Sequence, residues 1–101
     1  MDERRKHPRK SVSLEIRWEG LTGKYEARLS DIGAGGCFVD TLGGAEPGEI
    51  ISFAVRLPHS GWLELQGRVV STDPTVGFSV AYHELTLEQR DELDLLVNSL
   101  A

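Results

Sequence analysis

The stretch VSLEIRW, residues 12–18, decides the fold because its apolar and polar residues alternate without a break. Val12, Leu14, Ile16 and Trp18 fall on one face of an extended chain, and the polar residues between them fall on the other. Successive side chains of a β-strand point to opposite sides, so the pattern predicts a strand with one buried face. We therefore expect a sheet that packs one side onto a core.

The same two-residue period returns in five further segments along the chain. Gly- and Pro-rich stretches such as GGAEPG, residues 43–48, separate these segments and predict turns. Six short strands joined in this way predict an all-β protein with a six-stranded antiparallel barrel. Gly67 indicates a bend or bulge within its strand. The alternating sets are Tyr25, Ala27, Leu29; Cys37, Val39, Thr41; Ile51, Phe53, Val55, Leu57; Leu63, Leu65, Gly67, Val69; and Phe78, Val80, Tyr82.

The last segment of the chain changes to a helical period. Thr86 stands three residues before Gln89, which is the spacing of a capping box, and predicts a helix over 86–100. An apolar stripe on this helix is expected to cover an end or an open edge of the barrel. The stripe consists of Leu93, Leu96, Val97 and Leu100, and the acidic residues Glu88, Asp91, Glu92 and Asp94 are interpreted as a solvated face.

Positive charge is concentrated at the start of an acidic protein. The 101 residues carry a net charge of −5, yet residues 1–10 hold five Lys or Arg against two acids, a net of +3, which leaves −8 for the remainder. An acidic body opposes binding to a long nucleic acid, so the pattern favours a small anion held near a basic arm. We divide the chain into a basic N-terminal arm, 1–11, and one barrel domain, 12–101. The alternative is that the arm is simply a solvated terminus.

Several function classes find no support in the sequence. His7, His59 and His83 lie in separate regions without metal-ligand spacing, and no local motif pairs a nucleophile with a base, so neither a metal site nor an enzyme is predicted. The single Cys37 is interpreted as a small residue that faces the core. No run of residues is apolar enough for a membrane span or a signal peptide, and we expect a cytoplasmic protein.

Arginines and a glycine-rich loop together favour a site for an anionic guanine nucleotide. The planar fork of Arg binds phosphate and also matches O6 and N7 of guanine. A carboxylate such as that of Asp31 can accept hydrogen bonds from the N–H edge of guanine, and glycines let a ligand approach the backbone closely.

These residues resemble the PilZ domains, a family of bacterial receptors for cyclic di-GMP. That family carries an RxxxR motif before its first strand and a motif of Asp or Asn, any, Ser, any, any, Gly at the start of its third. Arg5 and Arg9 in RKHPR match the first motif, and Asp31 and Gly36 in DIGAGG match the outer positions of the second. The resemblance covers essentially the whole chain, including GRVV, VGFSVAY and the closing helix.

The resemblance implies a ligand-binding role for each matched residue. Arg5 and Arg9 would clamp the phosphates and Hoogsteen edges of cyclic di-GMP, and Asp31 would accept from guanine. Arg4 precedes the first motif, and in this family such an Arg accompanies an intercalated pair of ligand molecules. The arm would then close over the ligand.

The glycine loop completes the implied site and also departs from the family. Gly36 would allow close backbone approach, and Gly35 lies beside it in the loop. Gly33 stands where the family has Ser, which removes a hydroxyl group whose hydrogen bond contributes about 0.5–1.5 kcal/mol. Such a loss weakens ligand binding roughly two- to twelvefold without abolishing it.

Two functions remain open at this point. The first is a cyclic di-GMP-binding regulatory domain whose arm changes conformation to control a partner protein, for example in motility, pilus or polysaccharide machinery. The alternative is a protein-interaction adaptor with the same fold that does not bind the nucleotide. A barrel that binds single-stranded nucleic acid is disfavoured, because the strands direct acidic residues outward and place most aromatic residues on apolar faces.

Overall fold

The structure, a computed structural model, describes residues 9–42, 44–59 and 61–100. Its strands form a closed antiparallel barrel, and one helix follows, which confirms the predicted fold. Around the barrel the order is β1-β2-β3-β6-β5-β4, so that β1 also pairs with β4. The elements are β1 (Arg9–Gly20), β2 (Gly23–Gly33), β3 (Gly36–Asp40), β4 (Ile50–Arg56), β5 (Trp62–Asp73), β6 (Gly77–Tyr82) and α1 (Leu87–Ser99).

The alternating apolar residues form the core of the barrel. Ile16, Ile51, Val55 and Val80 have no exposed surface, while their polar neighbours along the strands face outward. Trp18 is the largest core residue, and its ring stacks on Tyr25 with a centroid distance of 4.6 Å. Each such side chain contributes roughly 1.5–3 kcal/mol by leaving water. Burial of one face of every strand therefore holds the barrel together.

A bulge at Ser30 explains why β2 continues beyond Leu29, the last residue of its predicted apolar set. The pairing with β3 shifts by one residue between Leu29 and Asp31, so Leu29 and Ile32 are both fully buried although they are three residues apart. A bulge inserts one unpaired residue and reverses the alternation after it. The strand continues to Gly33, four residues beyond Leu29, and carries Asp31 within regular pairing.

The fifth strand also has a bulge, but not at Gly67. The register between β5 and β6 shifts between Val69 and Ser71, whereas Gly67 is paired regularly with Ile51 and Tyr82. A Cβ atom on Gly67 would overlap a methyl group of Val80 inside the barrel. Close packing, and not a bend, therefore explains the glycine.

The first strand begins at Arg9, three residues before the predicted start at Val12. Its first residues are polar and so lack the hydrophobic period from which the strand was predicted. They nevertheless pair with the end of β2, where Arg9 lies opposite Gly33 and Ser11 lies opposite Asp31. Residues 1–8 of the predicted arm lie outside the described residues.

The predicted capping box starts the helix. Thr86 Oγ1 accepts a hydrogen bond from the backbone N–H of Gln89 at 3.0 Å, and the backbone N–H of Thr86 donates to Gln89 Oε1 at 2.8 Å. Leu93 and Leu96 are buried against the barrel. The acidic side chains of the helix are exposed or half-buried, as a solvated face requires.

The other end of α1 is capped from the first strand. Lys10 Nζ donates hydrogen bonds to the carbonyl oxygens of Val97 at 2.9 Å and Leu100 at 2.7 Å. The last turn of the helix contains no basic residue of its own. A cation at the C-terminal end of a helix satisfies unpaired carbonyls and opposes the negative end of the helix dipole. Lys10 therefore joins the start of β1 to the end of α1.

Candidate functional site

Strand pairing brings the two motifs into contact. Because β1 and β2 are antiparallel neighbours, Arg9 at the start of β1 lies beside Asp31 near the end of β2. Arg9 Nη1 is 3.3 Å from Asp31 Oδ1, and the two side chains are 24% and 30% exposed. The pair is thus neither sealed in the core nor fully solvated, and an incoming ligand can reach both charges.

Gly36 lies against the Arg9 side chain at the start of β3. A Cβ atom built on Gly36 would overlap the carbonyl oxygen of Val80 and would lie 3.2 Å from Arg9 Nη2. No larger residue fits there without moving β6 or the guanidinium group. Packing against β6 therefore requires glycine at this position, and the predicted close approach of a ligand to its backbone stays a prediction.

Gly33 ends β2 and is buried opposite Arg9. The glycines with a left-handed backbone in the described chain are Gly23, Gly48, Gly61 and Gly77, so the backbone of Gly33 is one that serine can adopt. Gly35 is exposed in the connection between β2 and β3. Four predicted site residues, namely Arg9, Asp31, Gly33 and Gly36, are thus brought together, with Gly35 in the adjoining loop.

Arg4 and Arg5 lie outside the described residues. Their predicted roles as ligand clamps therefore stay predictions. The described part of the site contains one of the two arginines of the first motif and both matched residues of the second.

Sequence reasoning missed two residues that contact the glycine loop. Tyr82, at the end of β6, donates its hydroxyl proton towards the carbonyl oxygens of Gly33, at 2.8 Å, and Gly36, at 3.3 Å. Arg90, on α1, donates from Nη1 to the carbonyl oxygen of Ala34 at 3.1 Å. The two-residue period places Tyr82 on an apolar face, and the one sequence signal for Arg90 is that it is a lone cation among helical acids.

Two groups beneath the Arg9–Asp31 pair are held in their neutral forms. Burial raises the pKa of the Cys37 thiol to about 12, against the lowering effect of the nearby Arg9 charge. Burial also raises the pKa of the Tyr82 hydroxyl well above its usual range. Cys37 is fully buried, which confirms its predicted place in the core, and Tyr82 acts as a hydrogen-bond donor.

A cavity of about 710 Å³ lies elsewhere on the barrel. Its lining comes mainly from β1, β2, β4 and β5, and it does not include Arg9, Asp31 or the glycine loop. Its charged residues are set against one another across the strands, with Arg17 opposite Glu26 and Glu19 opposite Lys24. Glu64 is left over, so the lining carries one excess negative charge and disfavours the anionic ligand that the sequence predicts.

Two absences concern only the described ranges, 9–42, 44–59 and 61–100. Within them, no group of three or more His, Cys, Asp or Glu side chains is placed to hold a metal ion. None of the helices in that part of the chain is long and apolar enough to cross a membrane.

A comparison with protein-family models matches the PilZ domain over residues 3–99. The chain belongs to the PilZ domain family. The match includes both motifs, the six strands and the helix. A search of the curated proteins finds no match for this PilZ domain.

Solved structures share the fold of this PilZ domain at low sequence identity. The PilZ domain of CeSA from a cellulose-synthesizing bacterium has a TM-score of 0.76 and 18% identity, with 92% of this chain and 97% of that one covered. The PilZ domain of YcgR from Escherichia coli, solved with cyclic di-GMP, has a TM-score of 0.77 and 17% identity, with coverage of 97% and 92%.

One similar structure comes from a longer protein. The inhibitor of motility MotI from Bacillus subtilis has a TM-score of 0.76 and 21% identity, and the match covers 97% of this chain. The present chain spans 51% of MotI, about half of its length. At these identities the likeness shows the fold alone.

Proposed function

We propose that this PilZ domain is a receptor for cyclic di-GMP. The observation that carries the proposal is the contact of Arg9 with Asp31 beside the glycine loop, which places an anion-binding fork and a guanine-accepting carboxylate together. Relatives solved with cyclic di-GMP, including the PilZ domain of YcgR, support it by their common fold. Arg9 would bind phosphate or the O6 and N7 atoms of guanine, and Asp31 would accept from the guanine N–H edge.

The basic arm extends this proposal to Arg4 and Arg5, which lie outside the described residues. Arg4 and Arg5 would add two guanidinium groups to Arg9, and the extra positive charge favours an intercalated pair of dianionic ligands over a single molecule. Closure of the arm over the ligand is the regulatory output. A partner protein, for example in motility, pilus or polysaccharide machinery, would recognise the closed arm.

Calorimetric titration of the whole chain with cyclic di-GMP tests the proposal, with GTP and cyclic AMP as ligand controls. The expected result is saturable heat for cyclic di-GMP alone, with an end point near two ligands per chain. An end point of one ligand would contradict the intercalated pair and leave the receptor role intact. No heat up to millimolar ligand would overturn the receptor role in favour of the protein-interaction adaptor.

A further inference from the structure

The connection between β2 and β3 has an unusual arrangement of backbone hydrogen bonds. Each carbonyl oxygen of residues 33–36 is bound by one of two residues that lie far away in sequence. Tyr82 Oη donates towards Gly33 and Gly36, the backbone N–H of Tyr82 donates to Gly35 at 3.2 Å, and Arg90 Nη1 donates to Ala34. Within the described part of the chain, nothing accepts from the backbone N–H of Ala34 or Gly35. The carbonyl oxygens of the loop are therefore bonded within the protein, while the backbone N–H groups of Ala34 and Gly35 stay available to a ligand.

The Tyr82 hydroxyl is held firmly enough to fix the loop. Its backbone is paired with Gly67 of β5, and its ring stacks on Phe53 with a centroid distance of 6.5 Å. Burial keeps the phenol protonated, so Oη is a donor at every ordinary pH. A rigid donor that bonds two carbonyls of one loop limits the conformations of that loop before any ligand arrives.

We propose that Tyr82 is a positioning residue of the site: its hydroxyl preorganises the loop 33–36 so that free N–H donors, and not carbonyl oxygens, are available to an anionic ligand. The proposal rests on the cyclic di-GMP receptor function proposed above. A loop that is already ordered loses less conformational freedom when the ligand binds, and this gain appears as affinity. Carbonyl oxygens directed at the phosphates of a dianion would instead repel it.

The substitution Tyr82→Phe tests this role because it removes one oxygen atom and keeps the ring against Phe53. Tyr25→Phe is the matched control, since Tyr25 Oη bonds Thr22 Oγ1 at 2.9 Å near the turn between β1 and β2. Three quantities are measured for both variants and the wild-type chain: the dissociation constant for cyclic di-GMP, the melting temperature, and the hydrogen-exchange rates of the backbone amides of residues 34–36.

Tyr82→Phe is expected to weaken cyclic di-GMP binding about fivefold, the effect of losing one buried hydrogen bond. Amide exchange at residues 34–36 should become faster in the ligand-free variant, and its melting temperature should fall by more than that of Tyr25→Phe, because the part-buried carbonyl of Gly33 loses its donor. Tyr25→Phe should change the dissociation constant less than twofold, and it should leave amide exchange at residues 34–36 unchanged. A purely structural role would alter melting temperature without this local change in exchange.

The outcomes separate this inference from the proposed function. Unchanged exchange at residues 34–36 in Tyr82→Phe would overturn the positioning role, whether or not the wild-type protein binds nucleotide. Faster exchange with an unchanged dissociation constant would also overturn it, because the order of the loop would then not contribute to affinity. A wild-type protein that takes up no cyclic di-GMP would instead overturn the receptor function itself.

Discussion

The two ends of the barrel use their polar groups in different ways. At the turn end, which holds the β1–β2 turn and the loop after β3, Glu49 accepts backbone N–H bonds from Leu21 at 2.7 Å and Glu46 at 3.0 Å. At the motif end, which holds Arg9, Asp31 and the loop 33–36, an ion pair remains about one quarter exposed. Carboxylates at the turn end thus complete the protein's own backbone hydrogen bonds. Those at the motif end stay accessible to another molecule.

The difference separates stability from binding. The turn end encloses Trp18, whose ring contacts Tyr25 and Phe78 and whose indole N–H donates to Thr41 Oγ1 at 3.2 Å. Burial of a large side chain stabilises the fold by roughly 1.5–3 kcal/mol, whereas a partly exposed ion pair contributes about 0–1 kcal/mol. Substitutions at the turn end should therefore change unfolding, and charge substitutions at the motif end should change ligand affinity.

The largest expected effect is at the turn end. Trp18→Ala should lower the free energy of unfolding by about 3–5 kcal/mol, because it opens a large cavity among aromatic rings. Urea unfolding followed by circular dichroism measures this loss. A change below about 1 kcal/mol would show that the core collapses around the missing ring.

For Arg9→Ala at the motif end we expect a large loss of ligand affinity and little loss of stability. Removal of a charged donor to phosphate or guanine should weaken cyclic di-GMP binding about 100-fold while the ligand-free melting temperature stays nearly constant. Arg56→Ala is the matched control, because Arg56 also forms a partly exposed ion pair, at 3.9 Å from Glu15, but on β4. Calorimetry and thermal melts are compared for the two variants. If Arg9→Ala and Arg56→Ala bound cyclic di-GMP with equal affinity, Arg9 would have no role in binding.

A pH dependence is expected from the core beneath the motif end. Folding raises the pKa of Cys37 from 9.0 to about 12, so the folded state favours the neutral thiol. The unfolded chain then loses the thiol proton first as the pH rises, so the contribution of Cys37 to stability should be constant below pH 9 and decline between pH 9 and 12. Between pH 8 and pH 10 the decline attributable to Cys37 is about 1.4 kcal/mol. Urea unfolding of wild type and Cys37→Ala should give parallel curves below pH 9 that converge above it, and curves parallel throughout would contradict the shift.

The smallest expected effect is a gain at the motif end. Gly33→Ser restores the hydroxyl of the family motif on a backbone that serine can adopt, and should tighten cyclic di-GMP binding by about 1 kcal/mol, close to fivefold. The dissociation constant and melting temperature are measured together. Weaker binding with a lower melting temperature would mean that the buried loop cannot take the side chain. No change in either would place Gly33 outside the site.

The sequence was sufficient for the barrel because two kinds of pattern were visible in it. Alternation in segments such as 12–18 reports which residues are buried, and the spacing of Thr86 and Gln89 reports where the helix begins. The end of β2 was not visible, because the bulge at Ser30 reverses the alternation. The strand position of Arg9 was not visible either, because polar residues carry no hydrophobic period.

The contribution of Tyr82 could not be predicted for a different reason. Its partners are backbone carbonyls 46 and 49 residues away, and every residue has a carbonyl, so no residue type marks the acceptors. The aromatic ring of Tyr82 accounts for its position in the apolar pattern of β6. The pattern therefore gives no indication of the hydrogen bonds that the hydroxyl group makes. Arg90 was concealed in the same way, by acidic neighbours that suggested a solvated face.

The bond between Lys10 and the end of α1 has a consequence for how the chain folds during synthesis. The contacts of Lys10 with Val97 and Leu100 span 87 and 90 positions, so they cannot form until almost all of the domain has left the ribosome. Until then Lys10, at the start of β1, has no helix carbonyl to which it can donate. Arg9, the residue before it, belongs to the motif end. Barrel topologies with such long-range contacts fold slowly, and a nascent chain that lacks α1 exposes the apolar surface that Leu93 and Leu96 cover in the finished domain. The domain is therefore open to aggregation until α1 has emerged and packed onto the barrel.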